Sequence, residues 1–256
     1  MDQLKEHRVL LCNDDGISAE GIGLLETLVR PHARETWVVA PAEEQSGASH
    51  SISMHLPIRH RQIDAHHHAV KGTPTDCALM GIYELMPEPP SLLLSGINWG
   101  ANLAEDLTYS GTASAAMEGA LLGVPSIALS LVHAWDNVHW KTAETFAPEV
   151  IAGILDAGIA PGTFVNVNFP PVPPDQVRGI RVCRLGQRPP GSFKPTKRID
   201  ARRKDYWWIE IMRVDHDVAG GTDLEAIENN EIAVTPIQLD MTADRSLGAL
   251  RQAFGS

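Results

Sequence analysis

Cysteine is scarce in this 256-residue sequence, and the three present, Cys12, Cys77 and Cys183, lie far apart with no CxxC pair. That spacing argues against a disulfide framework and against a thiolate zinc site. Cations are short as well: Lys plus Arg number 21 against 32 for Asp plus Glu, a net charge of -11. Binding along a nucleic-acid backbone draws on clustered cations, so no bulk nucleic-acid binding is expected. No apolar run reaches the roughly 18 residues a membrane span needs, and the opening MDQLKEHR lacks the apolar stretch of a secretory signal. The expectation is a cytoplasmic protein with no membrane association. Internal repeats and low-complexity tracts are also missing. What is present is a 43% apolar composition in a chain long enough for one substantial core.

Short apolar runs alternate with amphipathic segments through the first third, the trace left by βαβ units. Val9 to Leu11 read as a strand, Gly21 to Val29 as a helix, Thr36 to Ala40 as a second strand stopped by Pro41. Residues 56 to 71 look like a hairpin. A helix from Thr75 to Leu85 follows Pro74, and Ser91 to Leu94 form a third strand before a Gly/Asn-rich loop. Thr112 to Leu122 are so rich in Ala and Gly that this helix must lie close against its neighbours. Pro125 to Leu131, residues 142 to 157 and Thr163 to Val167 continue the alternation as strand, helix and strand. The predicted class is α/β, a Rossmann-like, mostly parallel sheet flanked by helices, with a C-terminal β-hairpin serving as an oligomerisation arm. After the prolines at 170, 171, 173 and 174 the composition shifts. Residues 1–174 are therefore taken as the α/β catalytic core, and 175–256 as an accessory arm with a terminal helix, contributing to oligomerisation and partly packing on the core. Strands are expected at Gly179 to Arg184 and Tyr206 to Val214.

In open parallel sheets ligands bind beyond the carboxyl ends of the strands, where loops from different strands meet. The unusual polar residues fall at those ends: Asn13, Asp14, Asp15 and Gly16 after the first strand, Ser46 and Gly47 after the second, Gly96, Asn98, Gly100 and Asn102 after the third. Adjacent carboxylates with Ser and Asn oxygens make a hard site suited to Mg²⁺ or Mn²⁺. An ion there polarises a phosphoryl group and acidifies water. Alone, NDDG is equally a turn or helix cap; its place between a buried strand and an amphipathic helix favours the site. The three loops hold no Lys or Arg, so a phosphate dianion must be met by backbone. Tyr109, Ser110, Gly111 and Thr112 enter the Ala-rich helix, whose amino terminus offers free N–H groups, although SGT by itself reads equally as an ordinary N-cap.

With these residues in place, the chain resembles the SurE family of stationary-phase survival proteins, which act as 5′/3′-nucleotidases. The likeness is carried by LCNDDGISAEGI at 11–22, VVAPAEEQSGASHSIS at 38–53, GTPTDC at 72–77, SGINWGANL at 95–103 and YSGTASAAMEG at 109–119, and extends to GTDLEAIENNEIAVTPIQLDMT at 221–242. The resemblance implies one divalent cation per subunit held by Asp14, Asp15, Ser46 and Asn98, with the two aspartates catalytic. Asn13, Gly47, Asn102, Ser110, Gly111 and Thr112 are the expected substrate and phosphate contacts. It also implies nucleoside monophosphates as substrates and a homodimer or homotetramer built with a projecting arm. Ala104 stands where the family usually has Gly.

Other features carry less. His66, His67 and His68 fall in a strand, where neighbours point to opposite faces, so they do not converge on one ion. WDNVHW at 135–140 reads as a lid or packing loop, with base stacking the lesser alternative. The basic run from Lys194 to Lys204 is interrupted by Asp200 and reads as a solvated or subunit-contacting arm. Two rivals remain. A different hydrolase, acting on short polyphosphate, on a nucleoside, or through an aspartyl-phosphate, is disfavoured in the last case because the aspartates are contiguous and not D-x-D. The other is a non-enzymatic stress-related binding protein.

Overall fold

The computed structural model describes residues 1–133, 137–189, 193–211 and 218–255, with only the backbone of Phe193 and Ile211. Strand β1 (Arg8–Cys12) is an unbroken apolar run, as a strand covered on both faces must be, and Val9 to Cys12 are fully buried. It lies between β2 (Glu35–Pro41) and β5 (Leu92–Trp99), parallel to both. Beyond β2 come β4 (His67–Lys71) and its antiparallel partner β3 (Arg59–Gln62), the expected hairpin. Beyond β5 come β6 (Ser126–Leu131) and β7 (Thr163–Phe169). β11 (Glu231–Gln238) runs antiparallel to β7, with β8 (Gly179–Val182) beside it. The sheet order is β3-β4-β2-β1-β5-β6-β7-β11-β8. The segment after Pro174 thus supplies two strands of the central sheet as well as a hairpin outside it.

Helices cover both faces. On one side lie α1 (Glu20–Val29) and α4 (Trp140–Ala157); on the other, α2 (Pro74–Met80) and α3 (Gly111–Leu121). α1 buries Ile22, Leu25 and Val29, one stripe at helical spacing, each worth about 1.5–3 kcal/mol of apolar burial. Gly21 lets it approach so closely that a Cβ there would lie 1.8 Å from the Ile97 carbonyl oxygen. α2 opens with Pro74 at its first position and a capping box in which Thr73 and Asp76 exchange side-chain and backbone bonds. It gives way at Gly81 to a wider helical turn through Leu85, so the helix expected over 75–85 is split. The Ala- and Gly-dense α3 does lie close: a Cβ on Gly119 would sit 2.4 Å from Ser126 Oγ.

Among the described residues β9 (Phe193–Ile199) and β10 (Asp205–Ile211) pair only with each other, from Asp205↔Ile199 to Ile211↔Phe193. The expected C-terminal hairpin is therefore present, but its first strand was not read at β9, because FKPTKRI is basic and contains Pro; the end of the strand expected at 206–214 lies outside the described residues, as do Trp135 and Asp136 of the WDNVHW segment. α5 (Asp223–Glu228) packs on β11, and α6 (Asp244–Phe254) closes the chain with Leu250 and Phe254 exposed. Among the described residues no helix is long and apolar enough to cross a membrane.

Candidate active site

The chain order runs β1, β2, β4 to one side and then returns to β5 on the other. The carboxyl ends of β1 and β5 therefore flank the point where strand order reverses, the crevice in which open α/β sheets bind ligands. Asp14 and Asp15 leave β1 there, and Asn98 sits near the end of β5, just past a register shift between Ser95 and Asn98. The Trp99 backbone N–H donates to Asp15 Oδ2 at 3.0 Å, which joins the two strand ends. The Gln45 N–H donates to the Asp14 carbonyl at 2.8 Å, bringing in the loop after β2.

Asp14 is 5% exposed and faces the first turn of α3. A Cβ on Gly111 would lie 2.6 Å from Asp14 Cβ, so only glycine permits this approach. The Thr112 hydroxyl donates to Asp14 Oδ1 in a short bond. Burial pushes the Asp14 carboxyl up to about 6; the Thr112 hydrogen bond works against that and the neighbouring Asp15 charge adds to it. Asp15 is also raised, first by burial, with the Trp99 N–H opposing. Two partly desolvated carboxylates side by side are an arrangement a cation relieves.

The remaining predicted residues surround this pair in different ways. Asn98 donates its amide to the Gly100 carbonyl at 3.1 Å, which leaves its side-chain oxygen outside that bond. Asn13 braces the turn through Nδ2 to the Gly16 carbonyl at 2.8 Å, while its buried Oδ1 has no protein donor. Ser46 is exposed and donates to Glu44 at 2.7 Å; Gly47 follows at φ +76° in the same loop. Ser110 is the N-cap of α3, its hydroxyl accepting from the Ala113 N–H at 3.0 Å, so the ordinary capping role is realised at this residue. Asn102 is buried in a network: its N–H donates to Asn168, its amide to Ser130, and its carbonyl accepts from the Asn166 and Asn168 amides.

Asp76, Asp223 and Trp99, which sequence reasoning passed over, shape the site. Asp76, fully buried, accepts from the Ser53 N–H (2.9 Å) and hydroxyl (2.6 Å), tying down the loop after β2; its signal was the T-x-x-D capping pattern at 73–76. Asp223, also fully buried, accepts from the N–H groups of Ala104 (2.8 Å) and Gly186 (2.6 Å). Nothing in GTD marks that long-range role. Ala104 has φ +51°, a left-handed backbone suited to glycine, which gives the departure from Gly at this position a conformational cost. Trp99 separates Asn98 from Gly100 and is half exposed. The histidines diverge as alternation requires: His66 and His68 pack around Trp37, while His67 bonds Asp64 and Glu26.

Among the described residues no three His, Cys, Asp or Glu side chains converge, so hard oxygen chemistry rests on the Asp14–Asp15 pair. Cys12 and Cys77 are buried, with thiols raised by burial, and take no part. A cavity of about 450 Å³ at the opposite end of the sheet, lined by Ala120, Pro161, Leu239 and Asp240 among others, holds a single carboxylate and no acid pair.

The family model described as survival protein SurE matches residues 9–191. The chain belongs to the SurE family. The 5′-nucleotidase SurE of Parvibaculum lavamentivorans is 44% identical over 256 residues, covering 98% of this chain and 92% of that protein. The 5′-nucleotidase SurE of Erythrobacter litoralis is 46% identical, covering 96% and 99%. The crystal structure of the SurE protein from Aquifex aeolicus superposes with a TM-score of 0.84 at 36% identity, over 96% of this chain and 99% of that one. The SurE likeness spans the sheet, the strand ends that carry the acid pair, and the segment beyond Pro174.

Proposed function

We propose that this chain is a metal-dependent phosphomonoesterase that hydrolyses nucleoside 5′-monophosphates, and 3′-monophosphates, to nucleoside and phosphate. The observation that carries the reading is the acid pair at the strand-order reversal, with Asp14 buried against an α3 terminus that has glycine at its first position. Relatives named 5′-nucleotidase at 44% and 46% identity support the substrate class.

The donor set fits one Mg²⁺ or Mn²⁺, with Asp14, Asp15, Asn98 and Ser46 as oxygen ligands. When bound, such an ion neutralises charge developing on phosphoryl oxygens and acidifies a water for attack. The chain's own groups do the rest. Thr112 holds Asp14, and the Trp99 N–H holds Asp15, so both carboxylates are oriented before substrate arrives. The amino end of α3 at Gly111 presents the positive end of its dipole to the phosphate. Asn13, Gly47, Asn102 and Ser110 frame the loops around it.

AMP hydrolysis is expected to vanish on exhaustive chelation and return with Mn²⁺ or Mg²⁺, and full turnover by chelated protein would refute the metal requirement. Silence of metal-loaded protein towards every phosphomonoester would favour a binding protein. Ser46→Ala and Asn98→Ala should each raise the metal concentration needed for half-maximal activity; identical titrations would remove both from the ligand set. The assembly proposed is a homodimer or homotetramer, supported by Trp207 and Trp208, on opposite faces of β10 and 56% and 63% exposed.

A further inference from the structure

We propose that Trp99 is the platform on which the nucleobase stacks, in a cavity beside Asp15 that admits the nucleoside half of the substrate. This rests on the phosphomonoesterase reading above and adds to it the residue that recognises the base.

A cavity of about 500 Å³ opens next to the acid pair, walled by Asp15, Glu20, Glu44, Trp99, Val138 and Trp140 among others. Its size falls in the range of small-ligand sites. Its walls are distinct from the α3 terminus, since they lie on the α1 and α4 side of the sheet; Asp15 is the residue where the two halves adjoin. A bound nucleotide has the same division, an anion at one end and a flat ring at the other. The cavity offers the ring a surface. Trp99 is 49% exposed although its neighbours in β5 are buried. One indole face is backed by His133, parallel within 10° at a centroid distance of 4.6 Å. Such backing fixes the indole plane while half the side chain stays accessible. Its backbone N–H is meanwhile committed to Asp15, so the platform is anchored to the same carboxylate that orders the phosphate end. The Trp140 ring reaches within 3.1 Å of where a Cβ on Gly21 would be, which closes the cavity with a second aromatic wall. Exposing an indole to water is unfavourable unless something covers it, and a base covers it without needing a particular edge pattern. A purine overlaps more of the indole than a pyrimidine does, so purine nucleotides gain more from it.

The test compares kcat/KM for AMP with that for ribose 5-phosphate, which has the same sugar phosphate and no base. Trp99→Ala should lower the AMP to ribose 5-phosphate ratio about tenfold, the scale of one base–aromatic stack, and Trp99→Phe should keep most of it. UMP should lose less than AMP. An unchanged ratio in Trp99→Ala, or equal loss on both substrates, would overturn the platform; equal losses for AMP and UMP would overturn the purine preference. If metal-loaded wild-type protein hydrolyses neither substrate, the phosphomonoesterase reading has failed, and calorimetric AMP binding then decides the platform separately. There, about tenfold weaker binding in Trp99→Ala supports it, and an equal Kd overturns it.

Discussion

The carboxyl edge of the central sheet and the β9–β10 arm are both built from strands with large apolar side chains, yet they end in opposite states. In β1 every residue from Val9 to Cys12 is buried because β2 and β5 flank it and helices cover both faces. In β10, Tyr206, Trp207, Trp208 and Ile209 are all exposed, on both faces of a ribbon whose backbone is satisfied by one partner strand. Isolated two-stranded ribbons are marginal in water, and among the described residues this one is held by local contacts that include Lys197 over the Trp207 ring, a Lys197–Asp205 ion pair, an Arg198–Glu210 ion pair and a Thr196–Glu210 hydrogen bond. Backbone pairing and side-chain burial are therefore separate requirements. The sheet meets both within one chain, whereas the arm meets the first alone and, under the proposed assembly, obtains the second from another subunit.

The largest effect should come from breaking the sheet edge chemically while leaving its packing alone. Asp14→Asn and Asp15→Asn should each lower turnover on a nucleoside monophosphate by at least about 100-fold. The melting temperature of metal-free Asp14→Asn should be no lower than wild type, because burial already disfavours the ionised carboxylate above about pH 6. Near-wild-type rates at saturating metal in both variants would remove the pair from catalysis. The converse break is Trp207→Glu with Trp208→Glu. Wild-type protein should sediment well above the mass of one chain at micromolar concentration, and the double variant should move towards the monomer or become insoluble. A monomeric wild type would end the comparison.

Smaller effects sharpen it at the seam and at the far edge. Ala104, held by Asp223 near the base of the arm, carries a positive φ; Ala104→Gly should raise stability by roughly 0.5–1 kcal/mol, the cost of left-handed alanine less the added chain entropy of glycine. Denaturant midpoints measure it, and a loss of stability would show that the Ala104 methyl packs usefully. The smallest change is expected at His67. Burial pushes this imidazole down, but hydrogen bonds to Asp64 and Glu26 outweigh it, leaving it above the ordinary 6.5. A group raised in the folded state stabilises fully below its unfolded value and loses that contribution as pH climbs through the folded one. His67→Gln should therefore lower the melting temperature more at pH 5.5 than at pH 8.5, and an equal shift at both would discount the charge.

The sheet was largely legible because its strands are continuous apolar runs and its helices carry apolar stripes; β1, β2 and β6 came out within a residue or two. The position of Asp14 and Asp15 at the end of β1 was legible from NDDG between a strand and a helix. Less could be read where the reason for a residue lies far away in sequence. β9 hides behind charge and proline because an arm strand has no core to face. Gly111 read as a phosphate contact at the helix amino terminus, and nothing local showed that its missing Cβ is what admits Asp14. Asn102 read as a substrate contact, while the structure shows it bonded to Ser130, Asn166 and Asn168, partners that no local pattern could indicate.

The bond from Ala104 to Asp223 also sets an order in time. It closes a span of 119 residues, and the loop it fixes carries Asn102 and leads into α3. Chains emerge from the ribosome amino end first, at roughly 5–20 residues per second, so Asp223 is made roughly 6–24 s after Ala104. For most of that interval the residues of β1, the acid pair and α3 have all been made, but the loop between β5 and α3 is not yet fastened. A chain stalled or truncated before α5 therefore carries every metal-ligand candidate and still lacks the clamp on the neighbouring loop.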